Sequence, residues 1–147
     1  MTRRILLACL LSVAAVGCDE KLSSVTGPTP QLEPTLTSIQ RDIFGARDLA
    51  GRQACTDCHS DVGRNPSGGL VLLGGRAHAA LVNQVSTGKP GAIRVIPGDP
   101  DNSYIIRKLE GAPDIVGVRM PRGNGPFLTD GQILVIRRWI QLGAPNN

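Results

Sequence analysis

Cys55-Thr56-Asp57-Cys58-His59 is a C-x-x-C-H run. Two thiols three residues apart, followed at once by an imidazole, form the attachment pattern of a c-type haem. Each thiol can make a thioether with one vinyl group of the porphyrin. The imidazole of His59 is then held against one face of the iron as an axial ligand. No other short pattern in the chain carries as much chemistry.

Cysteine usage agrees with this reading. The chain has four cysteines, Cys9, Cys18, Cys55 and Cys58. Cys9 falls inside an N-terminal export signal and Cys18 at its end. The motif uses the other two, which leaves no thiol for a disulfide framework. Other chemistries for the pair are less well supplied. Zinc usually takes four ligands, and outside the motif the only other histidine is His78, with no second cysteine pair. A thioredoxin-like redox pair lacks its βαβ context. A chance match or a simple disulfide is the remaining alternative.

Residues 1–17 read as a lipoprotein signal peptide. Arg3 and Arg4 give the positive start, and Ile5 to Val16 form an apolar run too short to span a bilayer. Ala15-Val16-Gly17-Cys18 resembles a bacterial lipobox, with Ala15 where Leu is usual. Cleavage near Gly17 with Cys18 left free is the alternative. Lipidation at Cys18 attaches more than one acyl chain, which anchors a protein stably without spanning the membrane. The expected location is the periplasmic side of a bacterial membrane, inner or outer. Asp19 resembles an inner-membrane retention signal used by some bacteria.

Residues 18–35 read as the lipidated N-terminus and a semi-flexible tether. They hold Ser23-Ser24, Gly27-Pro28, Pro30 and Pro34 with few core-forming residues. The part after Cys18 reaches at most about 56–61 Å when extended, enough for a domain to stand clear of a membrane.

Residues 36–147 are expected to form one small domain. The whole chain carries 16 basic and 12 acidic residues, a net charge of +4. Removing residues 1–17 takes away Arg3 and Arg4 and no acid, leaving 14 basic against 12 acidic residues, or +2. The basic residues are scattered and not interleaved with aromatic ones, so no nucleic-acid partner is expected. Phe44, Tyr104, Phe127 and Trp139 are the only aromatic residues. A buried porphyrin would supply the large flat apolar body that such a core lacks.

The pattern predicts short helices joined by long loops. Ile39, Ile43 and Phe44 mark the inner face of a helix from near Thr37 toward the motif. A loop with Gly63, Asn65-Pro66 and Gly68-Gly69 follows His59. A second helix spans Ala77 to Val85 and ends before Gly88 and Pro90. Pro97-Gly98-Asp99-Pro100 reads as a helix start, with Asp99 as cap, Ile105, Ile106 and Leu109 inward, and Lys108 suited to the dipole at the far end. Thr129-Asp130-Gly131-Gln132 reads as a capping box for the last helix, whose stripe is Ile133, Ile136, Trp139 and Ile140. No alternating strand pattern, internal repeat or second domain is evident.

The second axial position needs a donor. Met120, in Arg119-Met120-Pro121, is the leading candidate, because a loop between two helices can bring its sulfur over the ring and a thioether favours reduced iron. His78 is the rival ligand. The other ring nitrogen of His59 is expected to donate to a backbone carbonyl, with the Pro66 loop as its source. Arg94, Arg107, Arg119 and Arg122 are candidate partners for the propionates.

From about Ser38 to Ala144 the chain resembles the small monohaem cytochrome c domains common in planctomycetes and related bacteria, which are class I-like. Ile43-Phe44 leading to the C-x-x-C-H run carries part of the resemblance. Val95-Ile96-Pro97-Gly98-Asp99-Pro100 with Ser103-Tyr104-Ile105-Ile106-Arg107 carries more. The rest lies in Arg119-Met120-Pro121, Leu128-Thr129-Asp130-Gly131-Gln132 and Ile136-Arg137-Arg138-Trp139-Ile140-Gln141-Leu142-Gly143-Ala144. The segment between Phe44 and Cys55 is longer than usual for that family, and Ser60 stands where Gly is frequent. The resemblance implies an all-α cytochrome c fold of four to five short helices around one covalently bound haem c. It implies covalent attachment at Cys55 and Cys58 and iron ligation by His59 and Met120. The implied role is single-electron transfer between redox partner proteins, not enzymatic turnover. The alternative is a haem-based sensor or gas-binding module with a displaceable sixth ligand. A peroxidase-like enzyme and an assembly lipoprotein are further rivals.

Overall fold

Thr35 starts the first helix. Its hydroxyl accepts from the Ser38 amide at 3.2 Å, which satisfies one of the free donors at a helix N-terminus. The computed structural model describes residues 32–48, 50–123 and 125–147. The expected signal peptide, Cys18 and the tether up to residue 31 lie outside the described residues. Helix α1, Leu36–Ile39, runs directly into a π-helical turn, Gln40–Phe44, in which the Gly45 amide donates to the Gln40 carbonyl at 2.9 Å. Ile39, Ile43 and Phe44 are buried, as their spacing predicts. The helix does not continue to the motif. It ends at Gly45, and the following loop wraps around Arg52, a fully buried arginine.

Three other α-helices follow among the described residues: α2, Ala77–Leu81; α3, Tyr104–Glu110; and α4, Asp130–Gln141. Helix α2 is shorter than expected. Val82 turns extended and pairs with Val95, and Val85 pairs with Ile93. Branching at Cβ makes both valines more comfortable in extended backbone than in a helix. These are isolated bridges, and with Ile96–Asp99 they are the β pairings found among the described residues. The chain is therefore of the all-α class.

Helix α3 begins later than Asp99-Pro100 suggests. The Asp99 carboxylate accepts from the backbone and side-chain amides of Asn102 at 3.1 and 2.7 Å. It therefore closes a turn, and Ser103 is the residue that precedes the helix. The Ser103 hydroxyl accepts from the Ile96 amide at 2.9 Å and donates to the Asp99 carbonyl at 2.7 Å. Gly111 ends α3 in the left-handed region at φ 76°, a conformation that costs glycine no Cβ clash.

Helix α4 has the expected capping box. The Gln132 amide donates to the Thr129 hydroxyl at 3.2 Å, and the Thr129 amide donates to the Gln132 side chain at 3.0 Å. Ile133, Ile136, Trp139 and Ile140 are buried against α1 and α3. Burying one such side chain contributes about 1.5–3 kcal/mol relative to leaving it in water. This packing forms the frame on one side of a cavity.

Candidate functional site

The loop after the motif folds back over it. The Ser67 amide donates to the Cys58 carbonyl at 3.0 Å and the Leu72 amide to the His59 carbonyl at 2.8 Å. Those two bonds bring the Ser67 carbonyl to 2.9 Å from His59 Nδ1. Nδ1 therefore carries the proton, and Nε2 keeps the lone pair. Burial lowers the affinity of the imidazole for a second proton. The expected carbonyl acceptor thus comes from the residue after Pro66.

Cys55 and Asp57 bound a 3-10 turn that ends at Cys58. Cys55 is half-buried and Cys58 exposed, and both are free thiols. Burial pushes the Cys55 thiol up. The Cys55 Sγ lies 3.8 Å from the Ile43 carbonyl, an oxygen that also accepts from Arg52 Nη1 at 3.2 Å. Arg52 Nε meets Asp48 Oδ2 at 3.2 Å and its backbone amide meets Asp48 Oδ1 at 2.8 Å. The long segment before the motif is thus a loop folded around one buried cation, which sets the height of Cys55 against the core.

Cys55, His59 and Met120 line one cavity. Its volume is about 250 Å³. Phe44, Leu70, Leu72, Leu81, Ile105 and Leu109 make its apolar walls. Met120 is half-buried and packs on the core cluster. Cys58 is not on the cavity wall. His78 is not on it either: its Nε2 lies 2.9 Å from the Ala144 carbonyl, beside a separate cleft.

The polar wall consists of Ser86, Arg94, Tyr104 and Lys108. Of the four arginines proposed from the sequence, only Arg94 reaches the cavity. It is buried and donates to the carbonyls of Ala80 at 2.9 Å, Gly68 at 3.0 Å and Gly69 at 3.3 Å. It has no carboxylate partner among the described residues, and burial lowers its affinity for its proton. Arg107 instead pairs with Asp114. Arg119 donates to the Leu109 carbonyl at 2.6 Å and stacks 4.2 Å over the Phe127 ring. Arg122 is exposed.

Lys108 on the cavity wall was not legible as a site residue. A lysine near a helix end reads as a dipole partner, and only the returning loop shows what its ammonium meets. Among the described residues, no three His, Cys, Asp or Glu side chains converge as a metal-holding cluster of the kind zinc uses. One nitrogen donor and one thioether donor in an apolar cavity, with a thiol on its wall, match the donor set of a covalently held haem. No protein-family model, curated protein or solved structure matches this chain.

Proposed function

We propose that the chain is a membrane-anchored monohaem cytochrome c with the cytochrome c fold, carrying single electrons between redox partner proteins outside the cytoplasm. The observation that carries this reading is the convergence of Cys55 and His59, from one motif, with Met120, from a distant part of the chain, on one apolar cavity.

Bound there, haem c supplies a one-electron iron couple. The residues of the chain do the rest. The thiols of Cys55 and Cys58 would hold the group covalently, one thioether each, without net oxidation. Cys55 acts from the wall and Cys58 from the exposed end of the same turn. His59 offers Nε2 to the iron, and the Ser67 carbonyl fixes the tautomer that leaves that lone pair free. Met120 would offer its thioether to the iron and would favour the reduced state. With His59 and Met120 both committed to the iron, no place on it would be left for substrate. The walls of Phe44, Leu70, Leu81 and Leu109 exclude water from the ring. Arg94, buried without a carboxylate partner among the described residues, suits a propionate, and Ser86 and Tyr104 offer hydroxyls beside it.

The anchor is proposed at Cys18, with the signal removed and the tether carrying the domain on the periplasmic side of the membrane. No helix among the described residues is long and apolar enough to cross a bilayer. Expression with and without haem-maturation machinery tests the reading. A visible c-type spectrum that survives denaturation, and is lost in Cys55→Ala/Cys58→Ala, is expected. A colourless polypeptide from the maturation-competent host contradicts it.

A further inference from the structure

Helix α3 ends beside the loop that carries Met120, and Lys108 grips that loop at several points. Its Nζ donates to the Val116 carbonyl at 3.0 Å and to the Val118 carbonyl at 2.5 Å. Its own carbonyl accepts from the Met120 amide at 2.9 Å. One residue thus holds three backbone groups of residues 116–120. Two further ties flank it: the Tyr104 hydroxyl accepts from the Val116 amide at 3.0 Å, and Arg119 donates to the Leu109 carbonyl at 2.6 Å.

The arrangement is specific to the loop. Lys108 is half-buried on the cavity wall, and it has no carboxylate partner among the described residues. Backbone carbonyls of one short segment are its recorded acceptors. Val116 and Val118 themselves are exposed, at 53% and 52%, so side-chain packing contributes little to holding this stretch. Hydrogen bonds from a charged donor are stronger than neutral ones and stay aligned only while the loop keeps its shape.

We propose that Lys108 is the positioning residue for Met120, holding the loop so that the thioether stays over the cavity and resists displacement by small ligands. This rests on the haem reading above. It extends that reading by assigning the closure of the sixth position to a side chain that touches neither iron nor porphyrin. Without the ammonium, the two loop carbonyls lose their donor and the methionine becomes a ligand that exogenous bases displace.

The test uses matured, haem-bearing protein. Lys108→Met keeps the straight apolar stem and removes every donor. Lys108→Gln keeps one short donor group, and Arg138→Gln removes an exposed cation on α4 that touches none of these carbonyls. Imidazole affinity of the oxidised protein is measured together with the near-infrared sulfur–iron(III) band and the mass after denaturation. Lys108→Met is expected to bind imidazole about tenfold more tightly than wild type, from the loss of two charge-assisted bonds. Its band should weaken while the haem mass is retained. Lys108→Gln should fall between, and Arg138→Gln should match wild type. Equal imidazole affinity and an undiminished band in both Lys108 variants overturn the proposal, as does an equal gain in Arg138→Gln. A wild-type polypeptide without haem mass overturns the haem reading itself. A haem-bearing wild type without the band overturns Met120 ligation alone.

Discussion

His59 acts as a ligand only in the tautomer with Nε2 free, and the Ser67 carbonyl selects it. Met120, the proposed second ligand, reaches the same cavity from beyond α3 in sequence. Met120→Ala should therefore retain covalently attached haem, lose the near-infrared sulfur–iron(III) band, and bind carbon monoxide rapidly once reduced. Unchanged absorption would place the sixth ligand elsewhere. Arg52 makes a different kind of residue-scale claim. Its side chain is fully buried, and its only acid partner recorded among the described residues, Asp48, is partly exposed. Asp48→Asn should lower stability by about 2 kcal/mol in urea unfolding, because it leaves a buried guanidinium short of charge compensation. Arg52→Met should cost less than Asp48→Asn, since it removes the buried charge along with its need. The proposed ligands could be picked from the sequence because C-x-x-C-H and a methionine before proline are local patterns. Arg52 and Lys108 were not. A basic residue among polar neighbours reads as a surface residue, and what meets Arg52 and Lys108 is largely backbone carbonyl, which sequence does not display.

Among the elements, α4 followed its sequence most closely. Its cap and its stripe are both encoded within one stretch. Thr129→Ala removes the hydroxyl that the Gln132 amide uses and should destabilise the protein by about 1 kcal/mol in urea unfolding. Helices α1 and α2 fell short of expectation. A π-helical turn and a pair of β-branched residues ended them, features set by tertiary packing as much as by spacing. The loop between α3 and α4 is tied at a second place by Asp114, which pairs with Lys89 at 2.7 Å and with Arg107 at 2.5 Å. These two cations hold its carboxyl down at about 2. The folded value lies below the unfolded one of about 3.9. Its contribution is therefore fully present above about pH 4 and is lost as pH falls toward the folded value. Asp114→Asn, isosteric with the protonated acid, should be less stable than wild type at neutral pH. The two stability curves should converge in strong acid, and a constant gap across that range would remove Asp114 from the account.

For the whole molecule, the helices and the bridged segments around Val82–Val95 enclose a volume that the protein's own aromatic residues do not fill. Phe44 touches it from the first segment, Leu81 from α2, Ile105 and Leu109 from α3, and Met120 from the loop beyond. With the proposed haem in place, four segments would share one occupant, and replacing both Cys55 and Cys58 should loosen all of them together. The most direct measurement is the mass of the mature polypeptide after maturation, denaturation and removal of every non-covalent ligand. The account predicts one haem's added mass, lost when both Cys55 and Cys58 are replaced by alanine. A mass equal to that of the bare or merely lipidated chain would contradict it.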